Sequence, residues 1–513
     1  MNVPNYPSHQ QFQQNVKHSI TTLYAEGKIK SISHYADLIG KMFLSDLTEV
    51  RQLMTPHYAS KPRGSLPRDP AAMLRSLLLM KQTGEHSITR WVQSLKNSDV
   101  YATLSGFEPD NVSGIGTFYD FISRLAGIDK QAENQRRKKP MNFKRKPSKK
   151  LKQNQKLPPK HPDIVNKMVD RVIKYENQPL HLGQHQLILD IFSQCFVQPS
   201  ATKKLLGDTQ KMIISGDGTL IKTAASPYGK KICDCPSKGI YKCDCKRIFS
   251  DHNARWGWDS YREIYVYGHN FFEIVACNSH YDLPILFIKT QAQRHDGVSS
   301  VVAVDKIIKF YPSFKFTRYL GDSAMDNYRF YRLMNHHKIE PFIALNETKS
   351  AQFVYQKLHI DDNGIPICAG GWQMVHFGFC PDRMRHKWRC PLKTLKSFPT
   401  ENEQICRAHN YCTPSNYGRT FYTYQQDNLR LFTKTPRHSQ LWKTIYKRRT
   451  ASERSNKRKK IDYQLEHDNV RSDYQWMIRY ALAAMCQHID AWYDIAKQQF
   501  TELCLAWEQQ NKP

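Results

Sequence analysis

From residue 211 onward the chain alternates short apolar runs of strand length with stretches whose apolar positions recur at helical spacing. The strand-like runs cover 211–221, 262–277, 283–290 and 315–322, with a helix expected over 297–310, between the last two. A helix at 327–337 and a strand at 339–346 follow. Residues 472–500 predict a long helix whose Trp476, Ile478, Leu482, Ala483, Ile489 and Trp492 pack on the core. Upstream the pattern is helical. Asp69 and Pro70 ahead of an apolar run that stops at Gly84 supply an N-cap, a proline at the first helical position and a glycine terminator. Ser87 opens another helix, and Thr117 with Asp120 has the form of a capping box before Phe121. Such short helices suit a helix-turn-helix-like module and a plain bundle equally. Residues 161–205 also read as helical, residues 1–30 as polar and loosely ordered, and 347–435 as an irregular stretch rich in Gly, Pro, Cys and aromatics. The expected organisation is a helical domain over 1–130, a linker over 131–160 and an α/β domain over 161–513 that carries 347–435 as an insertion.

At 513 residues the chain is too long for one hydrophobic core, and about two to four domains are expected. Its 76 Lys and Arg against 46 Asp and Glu leave a formal charge of +30, which calls for a polyanionic partner, nucleic acid or an anionic membrane surface. No run of eighteen apolar residues and no signal-peptide pattern is present. The expectation is therefore a cytoplasmic protein with no membrane partner and with reduced thiols. Residues 136–160 hold twelve Lys or Arg, four prolines and no acidic residue. Such a segment cannot form a core; it is either an inert solvated linker or one that tracks phosphates, and a neighbouring catalytic domain favours the second.

Two aspartates stand in the strand-like runs. Asp217 lies within Ile213–Ile221, and Asp322 ends Phe316–Asp322; a glycine beside each permits close backbone approach of a ligand. Near the C-terminal end come Tyr446, Arg449, Glu453 and Lys460, in which the helical repeat brings Arg449, Glu453 and Lys460 towards one face. A carboxylate set among cations can hold a metal ion while its neighbours hold a phosphate backbone. Taken singly, each aspartate is a turn or cap residue and the Glu453 helix a solvated basic helix. Taken together, in the order Asp, Asp, Glu with gaps of 105 and 131 residues, they resemble DDE transposases of bacterial insertion sequences. The last acidic residue of that class sits in a signature of Tyr, two residues, Arg, three residues, Glu, six residues, Lys, and all four positions match here.

The resemblance implies a ribonuclease H-like α/β catalytic core with a Cys-rich irregular or β insertion, preceded by an all-α N-terminal domain. Asp217, Asp322 and Glu453 would hold two magnesium or manganese ions. Tyr446, Arg449 and Lys460 would contact DNA phosphates, and Arg136, Arg137, Lys138 and Lys139 would begin the DNA-tracking linker. The partners implied are double-stranded DNA at the element's ends and at the target, and a second copy of the chain in a DNA-bound homodimer associated with the nucleoid. Two other readings of the same residues are a non-catalytic DNA-binding protein derived from a transposase, and a metal-dependent nuclease acting on RNA.

Cys233, Cys235, Cys243 and Cys245 form two Cys-x-Cys pairs around Gly239, and four thiolates suit tetrahedral zinc; the alternative is ordinary free thiols. The following stretch through Arg247, Asp251 and Gly257–Ser260 also resembles a segment of some insertion-sequence transposases. A second candidate set is Cys390, Cys406 and Cys412, with Cys368 or one of His376, His386 and His409 as fourth ligand. Trp372 and Trp388 in the same region are either packing residues or platforms for a flipped base.

Overall fold

In the computed structural model, which describes residues 6–58, 66–140, 163–179, 183, 185–346, 353–395, 406 and 412–512, the apolar runs after residue 211 assemble into one six-stranded sheet. Its strands are β1 (Met212–Lys222), β2 (Arg255–Asp259), β3 (Ile264–Ala276), β4 (Pro284–Gln291), β5 (Phe316–Gly321) and β6 (Glu340–Ile343). The order is β2-β3-β1-β5-β6, with β4 also paired to β3. Strand β3 runs antiparallel to β1, β2 and β4, whereas β5 and β6 run parallel to β1. Both parallel connections contain a helix, Asp296–Phe310 before β5 and Tyr328–His336 before β6, as the spacing requires. The strand and helix positions expected between 211 and 346 hold to within about three residues; the last helix runs past its expected end at 500 to Gln510, and β2 is an additional strand.

The sheet is covered on both faces, which is why its central strands are nearly all apolar. One face meets the helix Asp296–Phe310. The other meets a helical run comprising Gln440–Tyr446, a 3₁₀ turn at Lys447–Arg449, the helix Thr450–Lys457 and a π turn at Arg458–Asp462. The π turn inserts one extra residue. It sends Lys459 inward, where its Nζ donates to Glu273 Oε2 at 2.6 Å, and leaves Lys460 in the cleft described below. The Tyr480 hydroxyl also donates to that carboxylate oxygen at 3.0 Å, so a charge pair that would be costly alone is well bonded.

The N-terminal helices form as read at Pro70–Gln82, where the Asp69 side chain accepts from the Ala71 amide at 3.0 Å, and at Ile88–Asn97, capped by Ser87. The capping box at Thr117 does not form. That helix starts two residues earlier, at Ile115, with Gly114 at the cap, so Thr117 lies inside its first turn. These helices do not make a core of their own. The 38-residue helix Asp473–Gln510 lies against Ala36–Leu44 and Pro70–Gln82 and joins them to the sheet in one continuous cluster of buried side chains. Its contact with the first is so close that a Cβ on Gly40 would lie 2.6 Å from the Tyr493 ring. Lys81 and Asp468, both fully buried, pair at 3.0 Å across the same junction. The six tryptophan, aliphatic and alanine positions expected to pack from this helix are all buried.

The basic segment begins as a helix, Lys130–Arg137, that runs into a two-residue strand, Lys138–Lys139. That strand pairs with Arg247–Ile248, which pairs in turn with Lys230–Lys231, so the segment is docked on the α/β domain where it was expected to be a free linker. Its remaining cations, from Lys144 on, lie outside the described residues. Among its described residues the region 347–435 takes the β form of the expected insertion. It holds two three-stranded antiparallel sheets around a small core of its own that includes Ile360, Trp388, Phe421 and Phe432. Arg430 anchors it with a forked pair of hydrogen bonds to the buried Asp326, at 2.8 and 2.6 Å, four residues beyond Asp322.

Candidate active site

Asp217 lies in mid-strand on β1, opposite Glu273 of β3, and points to the face covered by the Glu453 helix. Asp322 is the first residue after β5; its carboxylate accepts from the Ala324 amide at 3.0 Å and so caps the turn that follows. Glu453, on the helix Thr450–Lys457, lines an open cleft of about 960 Å³ together with Asp217, Asn456, Lys457 and Lys460. The three carboxylates expected from the sequence are thus brought to one region by two neighbouring strands and one overlying helix.

A fourth carboxylate joins them that sequence reasoning passed over. Asp296, at the first turn of its helix, lines the same cleft, and its Oδ1 accepts from Asn270 Nδ2 at 2.8 Å. A Cβ on Gly218 would lie 2.3 Å from that oxygen, and one on Gly216 would lie 2.1 Å from the Tyr319 hydroxyl. These glycines therefore make room for neighbouring side chains, where the sequence had suggested room for a ligand. Burial, then the charges of Asp296 and Asp322, push Asp217 up to about 8. Asn456 Nδ2 donates to Asp217 Oδ2 at 3.3 Å, while Asn456 Oδ1 is buried with no hydrogen-bond partner. Crowded carboxylates beside an orphaned amide oxygen are a donor set that suits a hard divalent cation.

The closure is incomplete. Among the described residues, the groups of three or more ligating side chains whose atoms all lie within 4.8 Å of one another do not include Asp217, Asp322 and Glu453. Glu453 is instead held by Arg449, Nη2 to Oε1 at 2.5 Å, the i to i+4 contact of the sequence motif. Tyr446 is half-buried, stacks on Trp442 with centroids 4.4 Å apart, and donates its hydroxyl to the Gly321 carbonyl at 3.3 Å. It braces the residue before Asp322 and does not reach out to a phosphate. Lys460 lies 4.0 Å from Glu466, and burial lowers its pKa. Of the basic segment, Arg136 and Lys138 are exposed. Arg137 Nε donates to the Phe249 carbonyl at 3.0 Å, and Lys139 to the His252 carbonyl.

The rim of the cleft is aromatic. Strands β2 and β3 form a hairpin on which Trp256 pairs with Tyr267 and Trp258 with Tyr265, all on one face. Trp258 is 52% exposed, Tyr265 68% and Tyr261, at the turn, 95%. Trp258, Tyr261 and Arg262 line the cleft itself. By contrast Trp388, a candidate stacking platform, is 2% exposed and donates its Nε1 to Thr423 Oγ1 at 2.9 Å, so it is a packing residue. Trp372 is partly buried against the same insertion core.

Cys233, Cys235, Cys243 and Cys245 do converge, with all four sulfurs within 4.8 Å of one another. Cys233 to Cys243 and Cys235 to Cys245 are each 3.6 Å apart. Tetrahedral zinc with sulfur bonds of about 2.3 Å needs sulfurs ~3.8 Å apart, whereas a disulfide needs ~2 Å. The Cys235 amide, above other contacts, draws the Cys233 thiol down to about 7. A further buried group, Asp251, His269 and Asp473, went unread in the sequence. His269 Nε2 sits 2.7 Å from Asp251 and Lys289 pairs with Asp473, so this group ties the start of the long helix to the sheet.

A scan against protein-family models and a search of curated proteins each found no match to this chain.

Proposed function

We propose that this chain is a DDE transposase. It would bind the inverted repeats at the ends of a mobile element, hydrolyse a phosphodiester to release a 3′-hydroxyl, and direct that hydroxyl onto a phosphodiester of target DNA. The observation that carries the reading is a cleft lined by Asp217, Asp296 and Glu453, whose walls also bear Arg294, Lys457 and Lys460, with Asp322 near enough for its charge to act on Asp217. Support also comes from the sheet: antiparallel β1, β3 and β4 are followed by β5 and β6 parallel to β1, with a helix in each crossover, the order expected of a ribonuclease H-like core, to which β2 is an addition.

Magnesium or manganese held by these carboxylates would activate water and stabilise the leaving oxygen. The chain's own residues do the rest. Lys457 and Lys460 neutralise backbone phosphates, Arg449 keeps Glu453 oriented until the site is filled, and Tyr446 steadies the turn that presents Asp322. Trp258 and Tyr261 offer faces on which unpaired bases beside the cut would stack. The four sulfurs at 233–245 would hold zinc, locking a loop whose two ends pair with each other and whose Arg247–Ile248 end also pairs with Lys138–Lys139. That leaves Arg136 and Lys138 facing outward for phosphate contact.

The test is strand cleavage on a duplex carrying the element's own ends, with magnesium. Changing Asp217, Asp322 or Glu453 singly to Ala should abolish cleavage and leave end binding nearly intact. A single variant that retains activity within tenfold of the parent would overturn the assignment.

A further inference from the structure

Zinc at 233–245 leaves the cysteines of the insertion unexplained. Cys368, Cys390, Cys406 and Cys412 are free thiols that follow or precede the ends of its two small sheets. Cys368 comes directly after the strand Pro366–Ile367, and its carbonyl accepts from the Gly371 amide at 2.9 Å in a tight turn where Gly371 has φ 86°. Cys390 comes directly after the strand Arg385–Arg389 and opens a 3₁₀ turn, Pro391–Lys393. Within that turn the backbone amides of Leu392 and Lys393 both donate to the Cys390 sulfur, and Cys368 and Cys412 are near enough for their charges to act on it. Gly370 adds the fourth member: a Cβ there would lie 2.8 Å from Cys406 Sγ and 3.7 Å from Cys368 Sγ. Cys390 is crowded in the same way by Gly418, whose Cβ would lie 3.0 Å from that of Cys390.

The histidines are otherwise engaged. His376 Nε2 meets His386 Nδ1 at 3.0 Å, and His386 Nε2 meets the Thr433 carbonyl at 3.0 Å; His409 lies outside the described residues.

We propose that Cys368, Cys390, Cys406 and Cys412 bind one structural zinc ion that joins the two sheets of the insertion. Cys368 supplies the fourth ligand, and the ion is separate from the one at 233–245. Among the described residues these sulfurs do not close to the 4.8 Å mutual spacing of the Cys233 group, so binding draws the turns together. A small domain with a modest core gains stability from such an ion. The inference stands apart from the transposase reading.

The test uses the full chain purified without chelator. In a variant with Cys233, Cys235, Cys243 and Cys245 all changed to Ser, elemental analysis should find one zinc per chain. Cobalt(II) exchanged into it should show the charge-transfer absorption of a four-thiolate site. A folded variant holding no zinc and giving no such absorption would overturn the proposal. Should the variant not fold, the parent decides. Cys368, Cys390, Cys406 and Cys412 should resist alkylation, read by mass spectrometry, until a strong chelator is added. Equal labelling with and without chelator would refute the site.

Discussion

Replacing Asp217 with Asn removes one titratable carboxyl from a site where Asp296 and Asp322 act on it, with almost no change of shape. The consequence for stability can be worked through from the position of that group. An unfolded chain titrates this carboxyl near its ordinary value of 3.8, whereas burial and the charges of Asp296 and Asp322 hold it up to about 8 in the folded, metal-free protein. Below pH 4 both forms carry the proton and nothing is lost. Between pH 4 and pH 8 the folded form keeps a proton that the unfolded form has released, so stability falls as pH rises, by ~1.4 kcal/mol per pH unit. Above pH 8 both are ionised and the loss is complete. The full window amounts to roughly 6 kcal/mol, and the cleft's openness to water, which screens part of it, brings the expectation to roughly 2–5 kcal/mol. Asp217→Asn does not titrate. The difference in unfolding free energy between variant and parent, measured by urea denaturation in a chelator, should therefore grow by that amount from pH 4.5 to pH 8. Groups held low, such as Asp473 beside Lys289, lose their contribution only in acid and do not disturb this window. Magnesium at pH 8 should raise the parent's melting temperature and leave that of Asp217→Asn unmoved. A difference that stays flat across the window would refute the idea that the carboxylates strain one another.

Two further outcomes follow from other parts of the molecule. Cys243→Ser should cost the chain one zinc and loosen the Lys138–Lys139 strand from Arg247–Ile248, seen as trypsin cutting after Arg137 at least several-fold faster; an unchanged rate would show that the cysteine loop does not hold the strand. Trp258→Ala combined with Tyr261→Ala should lower cleavage of DNA with unpaired bases at the cut by roughly 10–100-fold, from stacking worth about 1–3 kcal/mol per base. Its melting temperature should barely move, because these side chains are 52% and 95% exposed, and activity within twofold of the parent would remove the hairpin from the binding surface.

Much of the α/β half was legible because its cues are local. Runs such as Ile213–Ile221 and Phe316–Gly321 declare themselves as buried strands, and the spacing of Arg449 to Glu453 declares the ion pair that forms. Asp296 was not legible. An Asp-Gly pair opening a helix has an adequate local explanation as a cap, and its place beside Asp217 depends on β3 bringing Asn270 alongside. Trp388, readable as either a packing residue or a stacking platform, packs inside, whereas Trp258 is exposed, since a tryptophan's exposure is decided by what the other strands of its sheet lean on. Tyr446 shows a related limit, for spacing places it near the site but only the strand beneath reveals that its hydroxyl serves Gly321. The helices before residue 130 looked self-sufficient because an apolar stripe says that a face is covered, not by which part of the chain.

That cover comes from the 38-residue helix Asp473–Gln510, and it imposes an order on biosynthesis. Chains leave the ribosome N-terminus first and fold as their parts become available. The helices around Ile39 and Leu78 emerge hundreds of residues before their packing partner, and their apolar stripes stay open throughout that interval. A nascent chain can therefore present no finished N-terminal surface, and a message cut short upstream of this helix would yield material for proteases and chaperones in place of a folded fragment. The N-terminal layer becomes competent only when the helix that completes the sheet domain is also in place, so assembly of the two halves is a single event.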